Sequence, residues 1–324
     1  MSSSPAKFPL LQLPTVPLIQ ILRSLDAFDI VKLSFHSQEM KRIVRSANYP
    51  IETVDFYAQE TSCSMEEGYT IMEVNYADNV EVLDDQPKEE QVLKVSDGLE
   101  ITCGSESFDD KTVNFVCPAG ADRKVARDFT LRHFLNVFRK IDKINVKYDS
   151  GNLKELDLWN YTKSLGWLFF AENNLEEISA EVMKFALEEV EADYLQICRP
   201  VQDGFRFSTE FKAEDVVIGA NSSWVDLDAV INSISSRICL MWHEVAITKC
   251  QINNLLKLWI SGERMTNLTC FIVSNCRIIG EGEDVFDGIE IQHYEDEDTC
   301  IVARYNGQLA SIAIRDDEFS FFYI

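Results

Sequence analysis

The N-terminal segment FPLLQLPTVPLIQILRSL, residues Phe8–Leu25, is almost wholly apolar yet contains prolines at positions 9, 14 and 17. Proline fixes φ and lacks a backbone N–H, so it marks turns and the first turn of helices. We expect Thr15 to cap a helix with Pro17 in its first turn, because the apolar residues that follow have helical spacing. The segment therefore predicts a short helix that is entered through an extended, proline-containing stretch.

Two more short helices are predicted between residue 26 and residue 46. Asp26 and Ser37 can cap them. Their apolar faces are predicted to consist of Phe28, Ile30, Val31 and Leu33 in the second helix and of Met40, Ile43 and Val44 in the third. A bundle of about 35 residues is too small to hold a stable core alone. Part of its apolar surface is therefore expected to contact another protein or the next domain.

The charge of the chain is unevenly distributed. The net charge is −24 over 324 residues, but residues 1–50 carry six basic and three acidic side chains. Clustered basic residues are what binds a phosphate backbone, so the acidic balance argues against nucleic acid and against anionic membrane surfaces. The sign difference indicates two surfaces with different partners, although a plain solubility role for the acidic part stays open.

The cysteines point to a reducing compartment. Nine cysteines are scattered without any C-x-x-C motif, which is typical of free thiols in a cytoplasmic or nuclear protein. No secretory signal is visible, and the apolar runs are far shorter than the roughly 20 residues of a membrane span. We therefore expect an intracellular protein without a membrane segment.

Residues 50–324 read as one large α/β module. Residues 51–127 are predicted to contain strands separated by exposed acidic loops, such as the loop at 84–91. From residue 129 onward, strands and helices alternate, and the strand centres near 196, 217, 240 and 270 are about 21 to 30 residues apart. This spacing predicts an irregular leucine-rich-repeat-like β-α module with a mainly parallel sheet. A hairpin with an Asn306–Gly307 turn and a last strand at 319–324 are predicted to follow.

The sequence contains no complete motif of a known catalytic site. His243–Glu244 begins like a zinc-protease motif, but position 247 is Ile and not the second His. The acids around His293 fit a solvated loop better than a cation site, and Cys276 beside Arg277 is expected to be buried. These residues are the only basis for the hypothesis of an unrecognised hydrolase or metal enzyme, which is weaker than the hypothesis of a protein-binding role. We expect a non-catalytic protein that needs no cofactor and no metal.

Two blocks resemble known domains. Residues 8–44 resemble an F-box through Leu13–Pro14, Ile21–Leu22, Leu25 and the run DIVKLS at 29–34, and the opening FPLLQLPTVPL is similar to that of nematode-type F-box proteins. The block INNLLKLWISGERMTNLTCFIV at 252–273 resembles the hallmark of their type-2 F-box-associated domain. The resemblance implies an F-box at 8–48 and a substrate-recognition module at 50–324, with the core of the F-box-associated domain at about 190–275.

The resemblance implies a substrate receptor of a Skp-cullin-F-box ubiquitin ligase. Its F-box would dock on the Skp adaptor, and through it on a cullin, while the C-terminal module would hold a protein substrate whose identity the sequence does not indicate. The adaptor contacts are expected at Leu13, Pro14, Pro17, Ile21, Leu22, Leu25, Ile30 and Leu33. Each of these side chains could instead serve only the internal packing of the three helices.

Some positions depart from the family pattern. His36, Ser37 and Met40 stand where family members often carry Cys, Trp or Lys. These departures leave open the alternative of a protein-binding module that is no longer coupled to a ligase. Trp259 has two interpretations, a substrate anchor or a core residue at helical spacing from Leu255 and Leu256, and we favour the core.

Overall fold

The computed structural model describes most of the chain. The described residues are 13–25, 27–57, 62–67, 70–75, 90–94, 100–105, 113–116, 123–148, 153–171, 176–241, 246–280, 284–295 and 297–324. The chain divides into two compact units: residues 1–146 with 155–162 form the first, and residues 147–154 with 163–324 form the second. The segment 8–12 and the motif His243–Glu244 lie outside the described residues. The predicted boundary between residues 48 and 50 stays a prediction.

The first unit begins with the three predicted helices. They are α1 (Thr15–Arg23), α2 (Ala27–His36) and α3 (Gln38–Ala47). Ser37 caps α3 as predicted, because its hydroxyl accepts a hydrogen bond from the Met40 N–H at 3.1 Å. The predicted cap at Thr15 is wrong: Thr15 is the first helical residue, and Pro14 takes the cap position without a side-chain hydrogen bond. The Pro14 carbonyl accepts the first helical bond from the Leu18 N–H at 3.1 Å.

The helices of this bundle pack through their apolar faces and are tied by two long-range hydrogen bonds. The buried side chains of the three helices include Leu18, Leu22, Ile30, Val31, Ser34, Met40, Val44 and Ala47. Arg23 Nε donates to the Ala47 carbonyl at 2.9 Å, and the Tyr49 hydroxyl donates to the Leu25 carbonyl at 3.1 Å. Both bonds fix α1 against the end of α3, so the bundle has one defined arrangement.

The rest of the first unit contains antiparallel strands and a fourth helix. The strands are β1 (Pro50–Tyr57), β2 (Ser62–Glu67), β3 (Thr70–Asn75), β4 (Glu90–Lys94), β5 (Glu100–Ser105) and β6 (Val113–Val116), and α4 (Arg123–Val137) precedes β7 (Lys140–Tyr148). β1, β2 and β3 form one antiparallel meander, and β4, β5 and β6 form another. Glu90 and Gln91 belong to β4, so the predicted loop at 84–91 is wrong at its end.

The second unit alternates strands and helices and ends in antiparallel strands. Its elements are β8 (Ser164–Phe170), α5 (Ala180–Glu188), β9 (Glu191–Ile197), β10 (Asp215–Asn221), α6 (Leu227–Asn232), β11 (Arg237–Met241), β12 (Ala246–Thr248), α7 (Lys249–Ser261), β13 (Cys270–Ser274), β14 (Arg277–Ile279), β15 (Ile291–Tyr294), β16 (Thr299–Ala303), β17 (Leu309–Ile314) and β18 (Glu318–Tyr323). β16 and β17 form the predicted hairpin, in which Gly307 has φ 84°.

The sheet of this unit is mixed. Its order is β15-β16-β17-β18-β13-β11-β10-β9-β8. β8, β9, β10, β11 and β13 pair in parallel, and β13 then pairs antiparallel with β18. Across the strands that the structure describes, antiparallel pairs outnumber parallel ones, so the prediction of a mainly parallel sheet is not confirmed. The leucine-rich-repeat-like character is not confirmed either.

Alternation along each strand gives this sheet two different faces. Leu195, Val216, Ile238 and Phe271 come from four neighbouring strands, and all are buried. Helix α7 packs on this side, since the ring of Trp259 lies 4.7 Å from that of Phe321 in an edge-on contact. The intervening residues point to the other side of the sheet and are half-buried or, like Arg237, exposed. This second side, which we call the open face, is the part of the sheet left available to solvent.

Candidate functional site

A stripe of apolar residues runs along one side of α1. Pro14, Pro17, Ile21 and Leu25 follow each other at intervals of three and four residues, which places them on the same side of a helix. The two prolines are exposed, and Ile21 and Leu25 are half-buried. We call these four residues the proline stripe. It is an apolar surface near the start of the chain that the bundle covers only in part.

The other predicted contact residues divide into two groups. Leu22 and Ile30 are 0% exposed, so their side chains fill the interior of the bundle. This favours internal packing, the alternative role that the sequence left open for them. Leu13 and Leu33 are half-buried and keep part of their surface accessible. Adaptor contact by Leu13, Pro14, Pro17, Ile21, Leu25 and Leu33 stays a prediction.

Val16 was not among the predicted contacts, although it is the most exposed large apolar side chain of α1. It is 67% exposed. Its position lies about half a turn away from the proline stripe, since neighbouring helical residues differ by about 100°. It therefore marks the opposite side of the same helical turn. Helical spacing alone could have placed it there.

Positive charge surrounds the exposed side of α3. Arg42 and Arg45 are exposed, and Lys41 is half-buried beside them. Burial lowers the pKa of Lys41, and the charge of Arg45 lowers it further. The surface of the bundle thus combines apolar and basic side chains, which suits a partner with an acidic surface.

A buried histidine joins α2 to α4, and the sequence gave no indication of this pairing. His133 Nε2 lies 2.8 Å from the Ser34 hydroxyl, and its ring stacks on Phe35 with centroids 3.7 Å apart. Burial, assisted by the charge of Lys41, lowers the pKa of His133 from 6.5 to about 3. His133 is therefore neutral at neutral pH and acts as a packing residue that supports the bundle.

The open face of the second unit is a mixed aromatic and polar surface. The strand register aligns Trp167 with Tyr194, Tyr194 with Asp215, Asp215 with Arg237, and Arg237 with Cys270. Arg237 forms an ion pair with Asp215 in the middle of this row. Aromatic and arginine side chains on a rigid sheet are typical of protein-binding surfaces.

Trp259 is a core residue, as the sequence favoured. It is 1% exposed and packs against Phe321, while the guanidinium of Arg304 lies 5.3 Å from its ring centre. Arg304 Nε also donates to the Trp259 carbonyl at 3.1 Å. Helix α7, which forms the first part of the hallmark block at 252–273, therefore supports the buried side of the sheet through Trp259.

The remaining candidates for chemistry are not brought together into a site. Cys276 is buried as expected, and its burial raises the pKa of the thiol. His293 is exposed on β15. Within the described part of the chain, no three metal-ligating side chains lie close enough to hold an ion, and no helix has the length and apolar character needed to cross a bilayer.

The bundle and the sheet of the second unit each contain a segment that matches a known family of domains. The family model described as "F-box domain" matches residues 10–51, and the model described as "F-box associated" matches residues 207–273. The chain therefore carries an F-box domain and a type-2 F-box-associated domain, which confirms the resemblance seen in the sequence. Neither a curated protein nor a solved structure matches the chain.

Proposed function

We propose that this protein is a non-catalytic substrate receptor of a Skp-cullin-F-box ubiquitin ligase. An F-box domain implies an adaptor role in such a ligase, and an F-box-associated domain suggests substrate binding. The F-box would bind the Skp adaptor and reach a cullin through it, inside the cell, and the module at 50–324 would recruit a protein target. The opening of the chain supports a nematode-type member of this class.

The observation that carries the proposal is the proline stripe. It is a partly exposed apolar surface within the segment that matches the F-box domain, on a helix whose adjacent side is anchored by the buried Leu18 and Leu22. Exposed apolar anchors on a rigid helix are what a docking interface requires, because burying them removes apolar area from water without ordering a flexible segment. Leu13 and Leu33 are proposed to extend the contact.

The open face is the proposed binding surface for the substrate. It lies on strands within and beside the segment that matches the F-box-associated domain, and its side chains are half-buried or exposed. The aromatic residues Trp167 and Tyr194 and the guanidinium of Arg237 are the side-chain types that contribute most to protein interfaces. We propose that a target protein contacts this row.

A matched pair of full-length variants tests the docking surface. Pro14→Asp with Pro17→Asp places carboxylates on the stripe, and Val16→Asp places one on the opposite side of the same turn. The first turn of α1 holds no acidic residue, so Asp at any of these positions favours the helix. We expect the double variant to bind a purified Skp adaptor at least about ten-fold more weakly, because an interface would bury unpaired carboxylates. Val16→Asp is expected to bind within about two-fold of the wild type.

Two results would contradict the proposal at different levels. Wild-type protein that shows no binding to the Skp adaptor at micromolar concentration would overturn the ligase role and favour the alternative, a protein-binding module that has lost its ligase coupling. Binding by the double variant at wild-type strength would refute the proline stripe alone. Co-purification with and without a proteasome block would then identify any unstable target.

A further inference from the structure

A cavity of about 230 Å³ lies in the second unit, on the side of the sheet on which α7 packs. Its floor includes Cys300, which follows Phe271, Phe321 and Ile312 in one register row and therefore belongs to the buried side of the sheet. The other boundaries are the first residue of α7, the turn at 284–286 and the loop between β15 and β16. The cavity is thus separate from the open face.

Hydrogen bonds hold the walls of this cavity in place. Asn253 Nδ2 of α7 donates to the Val285 carbonyl at 2.7 Å and to the Asp287 carbonyl at 2.9 Å, so the turn is fixed to the helix. On the opposite wall the Ile314 N–H donates to the Asp298 carbonyl at 3.0 Å. A ligand would therefore enter a preformed cavity without the cost of ordering these two walls.

The cavity combines an apolar interior with an acidic rim. Val285 and Cys300 are buried, and aromatic rings are supplied by Phe286 and the exposed Tyr294. The charged side chains of the lining are three exposed carboxylates and one half-buried ammonium group, namely Asp284, Glu297, Asp298 and Lys249. The carboxylates outnumber the ammonium group, so the balance is negative. Such a lining matches a ligand with an aliphatic stem and a positively charged end.

The chain around the cavity extends this negative charge. Residues 281–298 contain nine Asp and Glu and no Lys or Arg, and a field of this sign attracts cationic partners. Among the described residues no three metal-ligating side chains converge, so the rim does not form a metal site. The volume is also below the about 300–1,000 Å³ of typical small-molecule sites. Its size suits one long side chain of a protein partner.

We propose that this cavity, which we call the acidic cavity, binds a basic segment of a partner protein by taking up one Lys or Arg side chain. The aliphatic stem of that side chain would lie on Val285 and Cys300, and its charged end would lie between the carboxylates and the ring of Tyr294. Neighbouring basic residues of the segment would face the acidic surface around the rim. The proposal depends neither on the ligase role nor on substrate contact with the open face.

Three peptides test the proposal with the full-length protein by isothermal titration calorimetry. The first is a seven-residue peptide, blocked at both ends, in which lysine alternates with glycine. The second carries glutamine in place of lysine and is expected to bind at least about ten-fold more weakly, because the charge-assisted hydrogen bonds are lost. The third carries 2,4-diaminobutyrate, which keeps the charge on a stem two methylenes shorter. We expect it to bind about four- to fifteen-fold more weakly if the stem is half to fully buried.

Matched variants locate the binding site. Glu297→Gln with Asp298→Asn removes two charges from the rim and is expected to weaken binding of the lysine peptide at least about ten-fold. Asp226→Asn with Asp228→Asn removes two charges from α6, which does not line the cavity, and is expected to bind within about two-fold of the wild type. Tyr294→Ala is expected to weaken binding about two- to five-fold, whereas Tyr294→Phe keeps the ring and is expected to bind at wild-type strength.

Far-ultraviolet circular dichroism establishes that each variant is folded. Three results would overturn the proposal: no binding of the lysine peptide to the wild type at millimolar concentration, an equal loss in the two charge-removing double variants, or equal affinity for the lysine and diaminobutyrate peptides. The second result would mean that the peptide is attracted by the overall charge of the protein, and the third that no stem enters the cavity.

Discussion

Acidification is expected to destabilise the first unit through a single buried side chain, His133. Its ring is 5% exposed, stacks on Phe35 and pairs with the Ser34 hydroxyl, and its pKa is lowered from 6.5 to about 3. An unfolded chain releases this histidine into water, where it binds a proton below about pH 6.5. The unfolded state therefore takes up a proton that the folded state excludes.

The difference in proton binding by His133 between the folded and unfolded states sets how the free energy of unfolding depends on pH. A depressed pKa in the folded state means that the stability is present above about pH 6.5 and is lost as the pH falls toward 3. Between pH 7.5 and pH 5.0 the linkage relation gives a loss of about 2 kcal/mol in the free energy of unfolding. This is a large share of the about 5–15 kcal/mol that stabilises a typical domain.

Urea unfolding at the two pH values measures this loss, with pulsed hydrogen exchange of α2 and α4 peptides reporting on the first unit. His133→Gln retains a side chain that can pair with Ser34 but does not titrate, so its stability is expected to change much less with pH. His36→Gln removes an exposed histidine of α2 and is expected to keep the full wild-type dependence. A wild-type loss below about 0.5 kcal/mol, or an equal loss in His133→Gln, would refute the reasoning.

Two further predictions concern the ends of α7. Gly262 ends this helix at φ 74°, and a Cβ at this position would collide with the Tyr305 ring. Gly262→Ala is therefore expected to lower the free energy of unfolding, measured by urea titration, by about 1–2 kcal/mol. Gly204 has a similar φ of 84°, but a Cβ added there would meet no atom within 4 Å, so Gly204→Ala measures the backbone strain alone. An equal loss of unfolding free energy in both variants would exclude a contribution from the collision with Tyr305. Thr248 and Gln251 form a capping box at the start of α7. Thr248→Ala is therefore expected to lower the free energy of unfolding by about 1 kcal/mol and to speed hydrogen exchange in the first turn of α7. Unchanged hydrogen exchange in this turn would contradict the capping role.

Local patterns in the sequence were sufficient for most of the secondary structure. Ser37 was recognisable as a cap because its hydroxyl needs only the amide three residues later. The hairpin around Asn306–Gly307 was recognisable because the turn type depends on these two residues. The alternation along β10, β11 and β13 likewise separated buried positions from half-buried or exposed ones, since side chains on a strand point to opposite faces in turn. The two family resemblances rest on the same local information.

Contacts between distant residues were decided only by the tertiary structure. Periodicity showed that Leu22 and Ile30 share an apolar pattern with Ile21 and Leu33, but only the packing of the helices buries the first pair completely. Similarly, β18 lies between β13 and β17, so antiparallel strands continue a parallel sheet.

Two pairs of interacting side chains also depend on such contacts. Ser34 and His133 are 99 residues apart in the chain, and Asp215 and Arg237 form an ion pair only because β10 and β11 are neighbours. A sequence pattern records which side of an element is apolar, because that follows from the geometry of one helix or strand. It does not record what covers that side, because this depends on the packing of elements far apart in the chain.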